Sequence, residues 1–103
     1  MTFGLSDGTI ETVRAILEDY PAVKAAILYG SRAKGTERSG SDIDLALVGA
    51  DLTHRMLLRI ADRLDDSMVP YGFDLCLLKD IGDPALRNHI ERRGVFLYQR
   101  EPH

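Results

Sequence analysis

The chain has 103 residues, 13 Lys+Arg against 16 Asp+Glu, a formal net charge of −3, one cysteine and 45% hydrophobic residues. At this length folding buries about 60 to 68% of the surface of the unfolded chain, enough for one modest core, so residues 1–103 are expected to form a single domain. The negative balance argues against a protein that coats nucleic acid, because that binding depends on clustered Lys and Arg, and no strong nucleic-acid binding is expected. A lone Cys76 excludes an internal disulfide and a thiolate-based zinc site, which fits a reduced cytoplasm. Residues Met1 to Asp7 show no basic stretch followed by an apolar one, and no apolar run approaches the ~18 residues of a membrane helix. Neither export by a visible signal nor a membrane span is expected.

Thr9 to Asp19 places Ile10, Val13, Ile16, Leu17 and Tyr20 at helical spacing behind a Ser6-Asp7 start signal, with Pro21 as the stop. Ala22 to Tyr29 is nearly all apolar and closed by Gly30, which suits a strand covered on both faces. A polar connection leads to a second strand, Asp42 to Val48. Asp51 is the expected cap of a helix over Leu52 to Ser67, where Leu52, Met56, Leu57, Ile60, Ala61, Leu64 and Met68 recur at three- and four-residue steps. Phe73 to Leu78 reads as a third strand. Asp83-Pro84 and Gly94 supply the cap, first-turn proline and terminal glycine of a last helix, and Val95 to Tyr98 reads as a short closing strand.

The carboxylates stand where charge is costly. In Asp42-Ile43-Asp44-Leu45-Ala46-Leu47-Val48 the strand period puts Ile43, Leu45 and Leu47 on one face and Asp42, Asp44, Ala46 and Val48 on the other. The acidic face turns apolar halfway along, so something is expected to cover it, with the aspartates at the rim. The third strand repeats the pattern: Phe73, Leu75 and Leu77 share one side, and Asp74 lies with Cys76 and Leu78 on the other. Carboxylates at positions i and i+2 are about 6.6 Å apart and repel by roughly 2.5 kcal/mol at an effective dielectric near 20. Such a cluster must protonate, bind cationic side chains or hold a metal, and an all-oxygen set suits Mg²⁺ or Mn²⁺. For one acid alone a structural ion pair is the simpler reading; three repeats of the pattern favour a site.

Between the first two strands runs Gly30-Ser31-Arg32-Ala33-Lys34-Gly35-Thr36-Glu37-Arg38-Ser39-Gly40-Ser41. Glycines allow positive φ and close backbone approach, and backbone N–H groups with Ser hydroxyls and Arg or Lys can cradle phosphate oxygens. It is not a Walker A loop, because Thr36 stands where the lysine belongs. Alone, the stretch reads equally well as a polar loop; its position beside the acids decides for phosphate. For Gly30-Ser31 to meet Asp42 and Asp44, strands one and two must be antiparallel. For Asp74 to join them, strands two and three must be parallel, with the helix from Leu52 as the crossover.

Leu28-Tyr29-Gly30-Ser31, ten residues, then Asp42-Ile43-Asp44-Leu45 resembles the signature of the DNA polymerase beta-like nucleotidyltransferase superfamily. Gly30-Ser31-Arg32-Ala33-Lys34-Gly35 with Ser41-Asp42-Ile43-Asp44-Leu45 is similar to its minimal nucleotidyltransferase (MNT) branch. The resemblance implies an α+β nucleotidyltransferase fold, a small mixed β-sheet flanked by helices with an αβαβαβ core. It implies that Gly30 and Ser31 hold the triphosphate, with Arg32 and Lys34, and also Arg38, as candidates for its outer phosphates. It implies that Asp42, Asp44 and Asp74 are catalytic and bind two Mg²⁺ ions, Mn²⁺ being a possible substitute, and that ATP is the substrate. Small MNT proteins are antitoxins beside a helical HEPN-domain RNase toxin, and some transfer AMP to a tyrosine of that toxin. A HEPN-toxin partner is therefore expected, since the chain shows no evident domain to present an acceptor. The alternative is a non-catalytic antitoxin that neutralises the toxin by complex formation.

The remaining candidates stay structural. His54, His89 and His103 have no ligand spacing with one another or with Cys76, and Cys76 between Leu75 and Leu77 reads as a core residue. Asp65-Asp66 and Arg92-Arg93 read as solvated helix charges, and Arg87, Arg92 and Arg93 as a possible partner surface.

Overall fold

The computed structural model describes residues 5–30, 43–67, 69 and 71–100. Its elements in chain order are α1 (Asp7–Glu18), β1 (Ala25–Tyr29), β2 (Ile43–Val48), α2 (His54–Asp65), β3 (Phe73–Leu77), a 3₁₀ turn (Leu78–Asp80), α3 (Pro84–Arg93) and β4 (Val95–Gln99). The four strands form one mixed sheet in the order β3-β2-β1-β4. β1 is antiparallel to both β2 and β4, and β2 is parallel to β3 across the α2 crossover. These are the directions that the site argument required.

Each helix starts where a side chain can satisfy an open backbone N–H. Ser6 accepts from Thr9 N–H and Asp83 from Ala85 N–H, with Pro84 in the first turn of α3. For α2 the structure corrects the expected cap: Thr53, not Asp51, accepts from Met56 N–H, and the helix begins at His54. Leu52 is buried ahead of the helix, which moves the first free turn two residues on. Gly94 ends α3 in an extended conformation (φ −70°), so its glycine is not there for a left-handed cap. A Cβ at Gly94 would lie 2.3 Å from Ile27 Cγ2 and 2.4 Å from the Ile90 carbonyl oxygen, so close approach of α3 to β1 is what excludes a side chain.

The sheet is covered on both faces. On one, α1 and α2 close over Ala26, Leu28, Ile43, Leu45, Leu47 and Leu77, with Val13, Leu17, Ile60 and Leu64 in the same cluster. On the other, Ile90 of α3 and Leu78 of the 3₁₀ turn pack on Ile27 and Ala46, with Tyr29, Val48, Cys76 and Ile81 partly buried against them. This second layer is the predicted cover of the acidic face. It is small, so burial gives out before the first residues of β2 and β3 are reached.

The β4 edge and the end of α1 are held by residues that periodicity does not reveal. The Arg100 guanidinium donates to the carbonyls of Val23 at 3.2 Å, Glu18 at 3.0 Å and Tyr20 at 3.5 Å, and its backbone N–H donates to Lys24 at 2.8 Å. It satisfies open carbonyls at the α1 C-terminus, where a cation also suits the helix dipole. Arg63 of α2 pairs with Asp19 at 2.8 Å and lies over the Tyr20 ring. No helix among the described residues is long and apolar enough to cross a membrane.

Candidate active site

The register brings Tyr29 opposite Asp44 and Asp44 opposite Asp74, so one row crosses β1, β2 and β3. Residues directly opposed in a sheet project to the same face, at a strand spacing of about 4.8 Å. The next row, Ile27–Ala46–Cys76, already belongs to the layer under α3. The two carboxylates therefore stand on the last polar row before an apolar interior, Asp44 half-buried and Asp74 exposed.

Gly30 closes β1 with φ +79°, in the region where an L side chain costs about 1–2 kcal/mol. A Cβ there would also sit 2.5 Å from Asp44 Oδ2. Two independent constraints thus require glycine: the chain must turn left-handed out of the strand, and its backbone must pass against the Asp44 carboxylate. The start of the polar connection and the acid on β2 are in contact, as the phosphate-loop reading demands.

Tyr29 was named in the motif without a role. Its hydroxyl lies 3.5 Å from Cys76 Sγ, reaching across β2 to β3, and the small Ala46 side chain, opposite Cys76 in the next row, leaves room for the ring. Burial pushes the Tyr29 phenol well above its usual range, helped by the hydrogen bond to Cys76 and by the fields of Cys76, Asp44 and Asp74. Burial likewise raises the Cys76 thiol; the Tyr29 hydrogen bond opposes this, and the fields of Asp74 and Asp44 add to it. Both groups stay protonated at neutral pH and form the inner wall of the acidic row. The available signal was a lone hydroxyl-bearing aromatic in an otherwise aliphatic strand, whose O–H needs a partner when buried.

Of the predicted site residues, the structure brings together Gly30, Asp44 and Asp74. Asp42, Ser31, Arg32, Lys34 and Arg38 lie outside the described residues. Among the described residues no group of three His, Cys, Asp or Glu side chains is arranged to hold a metal ion. Asp44 and Asp74 nonetheless offer hard oxygen donors on one face of adjacent strands, beside a glycine cradle that a Cβ would fill. That donor set fits Mg²⁺ or Mn²⁺. His54 is exposed and His89 half-buried, apart from the row, and Arg87 on α3 pairs with Glu91 at 3.6 Å.

Comparison with known proteins follows the same line. No curated protein matches the chain. Among solved structures it is similar to a toxin–antitoxin complex with AMP-PNP, at a TM-score of 0.71 and 24% identity over 94% of this chain and 76% of that one. It is similar to the MntA-HepT toxin–antitoxin, at a TM-score of 0.69 and 22% identity over 92% of this chain and 74% of that one. It is also similar to a tri-AMPylated Shewanella oneidensis HEPN toxin in complex with MNT antitoxin, at a TM-score of 0.69 and 21% identity over 93% and 74% of the two chains. At such identities these likenesses establish the fold. Residues 11–103 match the family model described as Polymerase beta, Nucleotidyltransferase, and with nine-tenths of its length inside that match the chain belongs to this nucleotidyltransferase family.

Proposed function

We propose that the chain is one minimal nucleotidyltransferase domain, working in the cytoplasm, that transfers AMP from ATP to a hydroxyl, the acceptor being a tyrosine of a HEPN-toxin partner whose activity the transfer suppresses. The observation that carries this reading is the Tyr29–Asp44–Asp74 row with Gly30 against Asp44. Family membership supports the reaction class, and the structural neighbours, which include an AMPylated toxin with its antitoxin, support the acceptor.

In this reading Gly30 and Ser31 cradle the triphosphate, and Arg32 and Lys34, with Arg38, hold its outer oxygens. Asp42, Asp44 and Asp74 would hold two Mg²⁺ or Mn²⁺ ions, which neutralise charge on the attacking and leaving oxygens when bound. The acceptor oxygen forms a bond to the α-phosphorus as the bond from that phosphorus to the β-phosphate bridging oxygen breaks, and pyrophosphate leaves in line. Asp74, the exposed member of the row, faces the incoming hydroxyl and takes its proton. Tyr29 and Cys76 keep water out from beneath the row, so the carboxylates act in a less screened setting.

The test is co-expression with a candidate HEPN toxin, wild type against Asp44→Asn. The wild-type complex should yield toxin carrying added AMP mass, and Asp44→Asn should bind the toxin but leave it unmodified. Equal neutralisation by Asp42→Asn/Asp44→Asn at the same stoichiometry would favour the non-catalytic antitoxin instead.

A further inference from the structure

We propose that the open edge of β3 is where the acceptor docks: a protein segment in extended conformation, carrying the reactive hydroxyl and a neighbouring Lys or Arg, adds alongside β3 as a fifth strand. This rests on the reading of Asp74 as the acid that meets the acceptor, and it specifies how that acceptor is held.

β3 is the outermost strand, and no described strand pairs with its far side. Ile43 N–H donates to the Gly72 carbonyl, so along the parallel ladder the residues in step with Gly72 point their backbone groups at β2. The alternate residues, Phe73, Leu75 and Leu77, turn their N–H and C=O groups to the free edge. Along that edge runs a groove of about 230 Å³ lined by His54, Leu57, Leu75, Cys76, Leu77, Asp80 and Ile81. Leu58, 54% exposed, continues the apolar surface on α2. The groove thus combines apolar pockets with main-chain groups that no described strand pairs, which is what addition of a strand to a sheet edge uses.

The direction of the groove points to its occupant. It follows β3 back from the 3₁₀ turn toward Asp74, one residue before Leu75, so a strand lying in it delivers a side chain to the acidic row. Its one carboxylate is that of Asp80, which is exposed, and Asp74 stands just past Leu75, outside the lining. The Asp80 carboxylate repels a nucleic-acid backbone and, over an apolar floor, suits a protein segment with a cation near its hydroxyl. The opposite edge of the sheet is different: on β4 the Arg14 guanidinium already occupies the Leu97 carbonyl at 2.8 Å.

The experiment is amide-resolved NMR titration of the full chain with a short synthetic peptide, Val-Arg-Tyr-Val-Thr-amide, and with the same peptide N-methylated at alternate amides. The unmethylated peptide should shift the amides of Leu75, Leu77 and Ile81. Methylation should weaken binding about tenfold through loss of one or two main-chain hydrogen bonds. Asp80→Lys should weaken the Arg peptide and favour a Glu counterpart. Shifts centred on Phe96 to Gln99, equal affinity of the methylated peptide, or concentration-dependent shifts at Leu75 and Leu77 without peptide would each overturn the proposal. Labelled ATP, added with Mg²⁺, separates the two readings. A peptide that binds at β3 without being modified leaves the docking edge standing and counts against the nucleotidyltransferase. A peptide modified while binding elsewhere does the reverse.

Discussion

Replacing Gly30 by alanine adds one methyl group to the protein and meets two separate penalties. The φ of +79° costs an L residue about 1–2 kcal/mol. The new Cβ would fall 2.5 Å from Asp44 Oδ2 and 3.4 Å from its Cγ, so the carboxylate must rotate away from the row it shares with Asp74. Asp44 is half-buried and can yield, so the clash should add little to the loss of stability and much to the loss of activity. Urea denaturation should show a loss of about 1–2 kcal/mol, equivalent to a fall in Tm of roughly 4–16 °C for a domain of this size. Displacing a reacting group by about 1 Å costs on the order of 100-fold, so AMP transfer should fall by at least that factor. Gly30→Asn separates the two contributions: Asn tolerates the left-handed region better, so it should recover part of the stability, but it carries the same Cβ and should stay inactive. Wild-type stability and wild-type transfer in Gly30→Ala would refute both the turn geometry and the contact with Asp44.

Arg100→Ala removes the guanidinium bonds to the carbonyls of Val23, Glu18 and Tyr20 and should cost about 2 kcal/mol by chemical denaturation, because part-exposed charged hydrogen bonds are worth less than buried ones; a loss below about 0.5 kcal/mol would show that the clasp is not formed in solution. Arg63→Ala breaks the Asp19 pair between two exposed side chains and should barely move the denaturation midpoint, an effect that shrinks further in high salt. Because burial raises the Cys76 thiol, the stability tied to its proton is fully present below the ordinary thiol range and is lost as pH rises from that range through the raised native value. In EDTA the denaturation midpoint should fall above about pH 8.5 in the wild type and fall less in Cys76→Ala. Iodoacetamide at pH 7.5 should alkylate native Cys76 much more slowly than the unfolded chain, and equal rates would contradict the burial.

Strand directions were legible because chemistry over-determined them. Gly30 at the end of one strand, Asp44 near the start of the next and Asp74 near the start of the third can meet in only one mixed arrangement, and the register has that form. The cover over the acidic face was legible from Ala46 and Val48, since a solvent-facing strand would not turn apolar behind its acids. What escaped depends on contacts between segments far apart in the chain. Arg100 and the α1 C-terminus are about eighty residues apart and share no pattern. Gly94 is the helix stop it looked like, but it is also a point of close approach to Ile27, which only the packing of α3 on β1 reveals. Tyr29 was visible in the motif, but its partner is Cys76 two strands away, and hydrogen bonds across a sheet follow register rather than sequence spacing.

In the proposed reaction the acidic row moves the nucleoside monophosphate and not the terminal phosphate. Parallel reactions of the chain and the proposed HEPN-toxin acceptor with ATP labelled at the α- or the γ-phosphate, in Mg²⁺, separate the two. The α-label should become attached to the acceptor and the γ-label should leave in pyrophosphate, and Asp44→Asn and Asp74→Asn should abolish both. Transfer of γ-label to the acceptor, or α-label transfer undiminished in Asp44→Asn, would contradict it.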